Sequence, residues 1–160
     1  MSSSKKSSSS SSRRSRSHAE AVYGAPYPSY GTTYSSTSPF WTIGTLLGAS
    51  SVALGAFGAH GLKQRISDPT RIASWGNAAH YQLIHSAVLT LTAVVAPANT
   101  LAMSLFTAGM ALFSGSIYLL VWDPKKYKAV GPVTPIGGLC LIGGWIFLAA
   151  RGKLVLPRSR

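Results

Sequence analysis

Gly55-Ala56-Phe57-Gly58-Ala59-His60-Gly61-Leu62-Lys63 closes an apolar run in which small residues recur at Gly44, Gly48, Ser51, Gly55 and Gly58. Steps of four, three, four and three place all five on one stripe of a helix. In water such a helix would be poor, because each interior Gly costs about 1 kcal/mol against Ala. In a bilayer the same residues let neighbouring backbones come close, and dispersion contacts hold the helices together. The stretch therefore reads as the end of a membrane-spanning helix that carries a packing face.

The distribution of charge extends this reading to the rest of the chain. Only 11% of the 160 residues are charged while 46% are apolar, less than half the charged share usual for a soluble domain. No Asp, Glu, Lys or Arg occurs between Ala21 and Leu62, between Ile72 and Trp122, or between Ala129 and Ala150. At about 20 residues per span these gaps hold one, two and one membrane helices. The net charge of +12 sits in the tails and two short loops, where cations meet lipid headgroups and bias topology. Nucleic acid is not an expected partner. One cysteine, Cys140, excludes an intramolecular disulfide and a multi-cysteine metal site, and reads as a small packing residue.

The first helix is expected over 40–62, with Phe40 and Trp41 at one interface; its length of about 34 Å is enough to cross. Asp68-Pro69 reads as an N-cap with Pro in the first helical position, opening a second helix over 69–96. On it Trp75, Ala78, Gln82, His85 and Leu89 share a stripe, and His80 faces elsewhere. A third helix is expected over 101–122, where Ser104, Ala108, Ala111, Gly115 and Tyr118 repeat the small-residue pattern. The fourth is expected over 133–150, with Gly137, Cys140 and Gly144 as its close-approach face. Short connections make these an all-α, up-down four-helix bundle in the membrane, residues 40–151. Both charged loops then lie on one side and both tails on the other. Six Lys/Arg in the loops against four in the C-terminal tail leave the orientation open.

Residues 1–39 are Ser/Arg-rich and then Tyr/Pro-rich, too polar to bury a core, and are expected to be disordered. An Arg- and Ser-rich, acid-poor leader is also what mitochondrial transit peptides show, although no apolar face runs through it. The alternative is a soluble tail open to phosphorylation. Residues 152–160 form a basic tail. The expected location is an integral membrane, with the mitochondrial inner membrane a candidate alongside other endomembranes and the plasma membrane.

Four blocks resemble a known family. They are Gly55-Ala-Phe-Gly-Ala-His60-Gly-Leu, Trp75-x-x-Ala78-x-His80-Tyr81-Gln82-x-x-His85, Ala108-Gly109 with Leu112-Phe113-Ser114-Gly115-Ser116-Ile117-Tyr118, and Gly131-Pro132-Val133-Thr134-Pro135-Ile136-Gly137-Gly138 with Gly144-Trp145. In this order the chain is similar, over about 44–150, to a family of small membrane proteins of unknown function that includes bacterial YgdD-like proteins and animal transmembrane protein 256. The resemblance implies a four-helix integral membrane protein and supplies no activity. The animal members' association with mitochondria agrees with the transit reading. The N-terminal tail lies outside the resemblance, and His80 stands where members commonly carry another residue.

His60, Gln82 and His85, with Tyr81 and Tyr118, are the polar side chains expected at or beside the membrane core, where ionisable groups often mark pathways. They could line a proton or substrate path in a small transporter or channel. His60 and His85 could instead ligate a metal or haem for electron transfer. The favoured alternative has neutral histidines hydrogen-bonding across helices, which fixes register. No metal, cofactor or catalytic residue is assigned: no acidic or cysteine ligand shares the stripes, no nucleophile has a matched base, and Glu20, Asp68 and Asp123 all lie outside the spans. Gly131 to Gly138 reads either as a broken, ligand-exposing helix start or, preferably, as ordinary Pro-initiated geometry. The expectation is a non-enzymatic protein working through helix or lipid contacts. Its packing positions are Gly44, Gly48, Gly55, Gly58, Gly115, Gly137 and Gly144. Its partners are the lipid bilayer and, through those faces, a second copy or another membrane protein.

Overall fold

The computed structural model describes residues 38–151, and the two tails and the transit-peptide question lie outside them. Four helices make up the described chain: α1 Pro39–Ala59, α2 Pro69–Val95, α3 Thr100–Trp122 and α4 Val133–Arg151. All four are long and apolar enough to cross a membrane, and the protein is an integral membrane protein of the all-α class. Short 3-10 turns, Leu62–Gln64 and Lys128–Val130, sit in the two charged connections. α4 starts as a regular helix at Val133 just after Gly131-Pro132.

Each helix begins where its chemistry allows. Pro39 and Pro69 open α1 and α2, where a missing N–H costs nothing. At α2 the Asp68 carboxylate accepts from the backbone N–H of Thr70 (2.9 Å) and Arg71 (3.4 Å). Asn99 does the same for α3, accepting from Ala102 N–H at 3.4 Å, while its Nδ2 donates to the Phe147 carbonyl of α4 at 3.2 Å. Replacing the exposed cap by Asp68→Ala is expected to cost about 1 kcal/mol, with Asp68→Asn near wild type. A thermal midpoint in detergent measures both, and an alanine variant as stable as wild type would deny the cap its role.

The helices pack mainly in sequence order, α1 on α2, α2 on α3 and α3 on α4. The α1 glycines face α2 in antiparallel register. Side chains added at Gly44, Gly48, Gly55 and Gly58 would meet Thr90, Ser86, Ala79 and Trp75 in turn, so a step up one helix is matched by a step down the other. α3 and α4 mesh likewise: Gly137, Leu141 and Gly144 oppose Phe113, Gly109 and Phe106. Among the described residues no glycine has positive φ, so these positions are used for close approach rather than for turning.

Two expectations need correction here. Gly115 has open space where a Cβ would sit, and Ser104, Ala108 and Ala111 on its stripe are exposed. Over 104–115 that face of α3 points away from the other helices, and only Tyr118 at its end turns in to α2. The close-approach glycine of α3 is Gly109, whose missing Cβ makes room for Leu141. On α4 the inward position between the glycines is Leu141, buried, while Cys140 is only half-buried. The physical reason is common to both. Lipid is as apolar as a protein core, so small residues at helical spacing look the same on either face.

The core forms two clusters along the bundle. Leu89, Met103, Phe106, Met110 and Leu141 fill one, and Leu62, Ile66, Trp75 and Val121 the other, near the charged loops.

Candidate functional site

Between these clusters lies the polar centre of the protein, carried by the α2 stripe. Trp75, Ala78, Gln82, His85 and Leu89 are all buried, as helical spacing requires of one face. A polar group in hydrocarbon must find its partners inside the protein, and Gln82 finds three. Its Nε2 donates to the Leu47 carbonyl (2.9 Å) and to Ser50 Oγ (2.8 Å), both on α1. Its Oε1 accepts from the Tyr118 hydroxyl of α3 at 3.1 Å. Both amide hydrogens and the carbonyl are thereby used.

One turn along, His85 Nδ1 lies 2.7 Å from the Tyr81 carbonyl, and its Nε2 lies 3.2 Å from Trp145 Nε1 of α4. A carbonyl can only accept and an indole N–H can only donate. These partners therefore select the neutral imidazole with its proton on Nδ1. Aromatic rings enclose it: Tyr81 stacks at 5.8 Å, Trp145 stands edge-on at 6.1 Å, and Phe106 lies 5.9 Å away.

Gln82 and His85 thus tie α2 to all three other helices from a single turn. Further cross-links repeat the pattern. Trp75 Nε1 donates to the Leu54 carbonyl at 2.8 Å, Ser114 Oγ to the Ala78 carbonyl at 2.9 Å, and the Ser116 and Thr134 hydroxyls are paired at 2.6 Å. The other buried hydroxyls, Ser51, Ser86 and Thr92, bond back to carbonyls of their own helices.

The five polar residues singled out from sequence are only partly brought together. Gln82 and Tyr118 are bonded, and His85 adjoins them one turn away. Tyr81 contributes its carbonyl, while its ring is exposed and rests 5.0 Å from Phe113. His60 stands apart. α1 ends at Ala59, so His60 is an exposed C-cap residue whose backbone N–H closes on the Ala56 carbonyl. The two histidines do not converge, and His60, Gln82 and His85 line no common path. Among the described residues there is no group of three or more His, Cys, Asp or Glu placed to hold a metal.

Sequence reasoning missed Trp145, Ser50, Ser114 and Asn99 as network members. A tryptophan within the fourth span was the available signal, since an indole N–H at bilayer depth needs an acceptor.

A family model described as "Protein of unknown function (DUF423)" matches residues 54–138. A protein of Schizosaccharomyces pombe named a UPF0382 membrane protein is 40% identical over 111 residues, covering 66% of this chain and 93% of the relative. UPF0382 membrane proteins of Staphylococcus aureus (strain bovine RF122 / ET3-1) and Staphylococcus haemolyticus are 39% and 36% identical over 113 residues, covering 68% of this chain and 90% of each. No solved structure matches the chain.

Proposed function

This chain belongs to the DUF423 family of membrane proteins of unknown function, and from that premise we propose that it is a non-enzymatic membrane component acting through helix and lipid contacts. The observation that carries the reading is the closed polar centre. Gln82 spends both amide hydrogens and its carbonyl on α1 and α3, and His85 spends both ring nitrogens on Tyr81 and Trp145. Groups so committed lock helix register and leave no atom poised for substrate. The separation of His60 from this centre weighs against a transporter or channel path through it.

The outer faces supply the working surface. Between α1 and α2 an apolar lateral groove of about 500 Å³, bordered by Gly44, Gly48, Leu91 and Val94, opens sideways and suits a neighbouring helix or an acyl chain. The mitochondrial inner membrane is the proposed location, on the strength of the basic, acid-poor leader; a fluorescent tag at the C-terminus checks it. Crosslinking in native membranes, followed by blue-native electrophoresis, should show the chain in assemblies larger than a monomer. A lone monomer without partners would defeat the reading.

A further inference from the structure

We propose that the cleft between α2 and α3, beside the start of α4, is a binding site for a single anionic phospholipid. The inference rests on the reading of the protein as a membrane component that works through lipid contacts. It adds the place, the lipid class and the residue that selects the headgroup.

The cleft holds about 460 Å³, within the range of small-molecule sites, and its two walls differ in character. Arg71, Ser74 and Asn77 of α2 make one wall polar, while Phe113, Ile117 and Leu120 of α3 are apolar. Arg71 is the third residue of α2 and Val121 the last but one of α3, so the charged end lies at the membrane edge. Tyr81, also in the lining, is ten residues further into α2. Ten residues at 1.5 Å each are about 15 Å, half of a hydrocarbon core of about 30 Å. The cleft is about one leaflet tall, with its one charged group, Arg71, at the headgroup end and the apolar wall of α3 running beside it.

Arg71 carries the specificity. Its Nη2 donates to the Val121 carbonyl, holding the guanidinium at the C-terminal end of α3. Its Nε is buried and has no acceptor in the protein. Guanidinium presents a planar fork suited to phosphate oxygens, and here one donor of the fork is left over. The surroundings favour an anion: the two connections at this end carry Lys63, Arg65, Lys125, Lys126 and Lys128 against Asp68 and Asp123. Those two carboxylates are engaged with backbone N–H groups of Thr70, Lys125 and Lys126. The apolar floor distinguishes a lipid from a free phosphate, which has no use for it.

Native mass spectrometry of the delipidated full chain tests this, with phosphatidylglycerol and phosphatidylcholine added in turn. One phosphatidylglycerol should bind in preference to phosphatidylcholine. Arg71→Gln should weaken it roughly ten- to a hundred-fold, the loss of one charge-assisted contact, and Arg71→Lys should recover part of the loss. Ile117→Trp, which fills the apolar wall without touching the charge, should abolish binding in protein whose helix content by circular dichroism matches wild type. Equal binding of both lipids, or undiminished binding by Arg71→Gln, overturns the proposal. So does displacement of the lipid by millimolar inorganic phosphate, which would make the site one for free phosphate. None of these results bears on the assemblies that the crosslinking experiment tests for, so the two ideas fail separately.

Discussion

Gly137→Ala is expected to destabilise the protein by roughly 1–3 kcal/mol, the range for forcing extra volume into a packed interface. The added methyl would fall on the backbone of Phe113 and the adjoining Leu112 carbonyl carbon. Backbone within a helix cannot step aside as a side chain can, so α3 and α4 would have to separate. The usual gain of about 1 kcal/mol for replacing an interior helical glycine only partly offsets this. Gly144→Ala meets the Phe106 ring instead, which can tilt, and should cost less. Gly115→Ala enters open space and should keep the propensity gain. Thermal midpoints of the three variants in one detergent give the order directly. If Gly137→Ala melts with wild type, the close approach of α3 and α4 is not what holds that pair together.

Gln82→Leu is the second large effect, expected at about 2 kcal/mol. It removes bonds to Leu47, Ser50 and Tyr118 together. Interhelical hydrogen bonds in membranes average about 0.6 kcal/mol, with a maximum near 1.7, so three lost bonds set this scale. Tyr118→Phe removes one of them and should cost about a third as much. Because the two residues share a bond, Tyr118→Phe in the Gln82→Leu background should cost less than it does alone. Unfolding in mixed SDS and mild-detergent micelles measures each variant. Additive losses would show that Tyr118 and Gln82 are not coupled. A Gln82→Leu protein as stable as wild type, but impaired in flux across proteoliposomes, would turn the site from a lock into a pathway.

Much of this centre is legible residue by residue. Gln82 and His85 share a stripe with Trp75, Ala78 and Leu89, and polar residues on an otherwise apolar face must point at partners in a bilayer. His60 misleads because the first helix is expected to continue to Leu62, which would keep the residue within the span. The chain leaves it at Ala59, and beside Gly61 the Phe57 ring comes within 2.8 Å of where a Cβ would sit. Gly115 misleads for the opposite reason. Its stripe on α3 is real, but helical spacing says only that residues share a face. The inward face of α3 instead supplies bulk at Phe106 and Phe113 to the glycines of α4, a complementarity that appears only when the two helices are laid together.

From its sequence alone this protein is determined as four apolar spans, with caps at Asp68 and the prolines and with glycine faces on α1 and α4. Those features follow from charge exclusion by hydrocarbon and from backbone chemistry local to a few residues. Which side of α3 turns inward, which carbonyl receives Gln82, and that Trp145 reaches His85 were decided by the tertiary structure. Lipid and protein interior are equally apolar, so burial leaves no hydrophobic signature on a membrane helix. Only the fit of one helix surface against another separates the two faces.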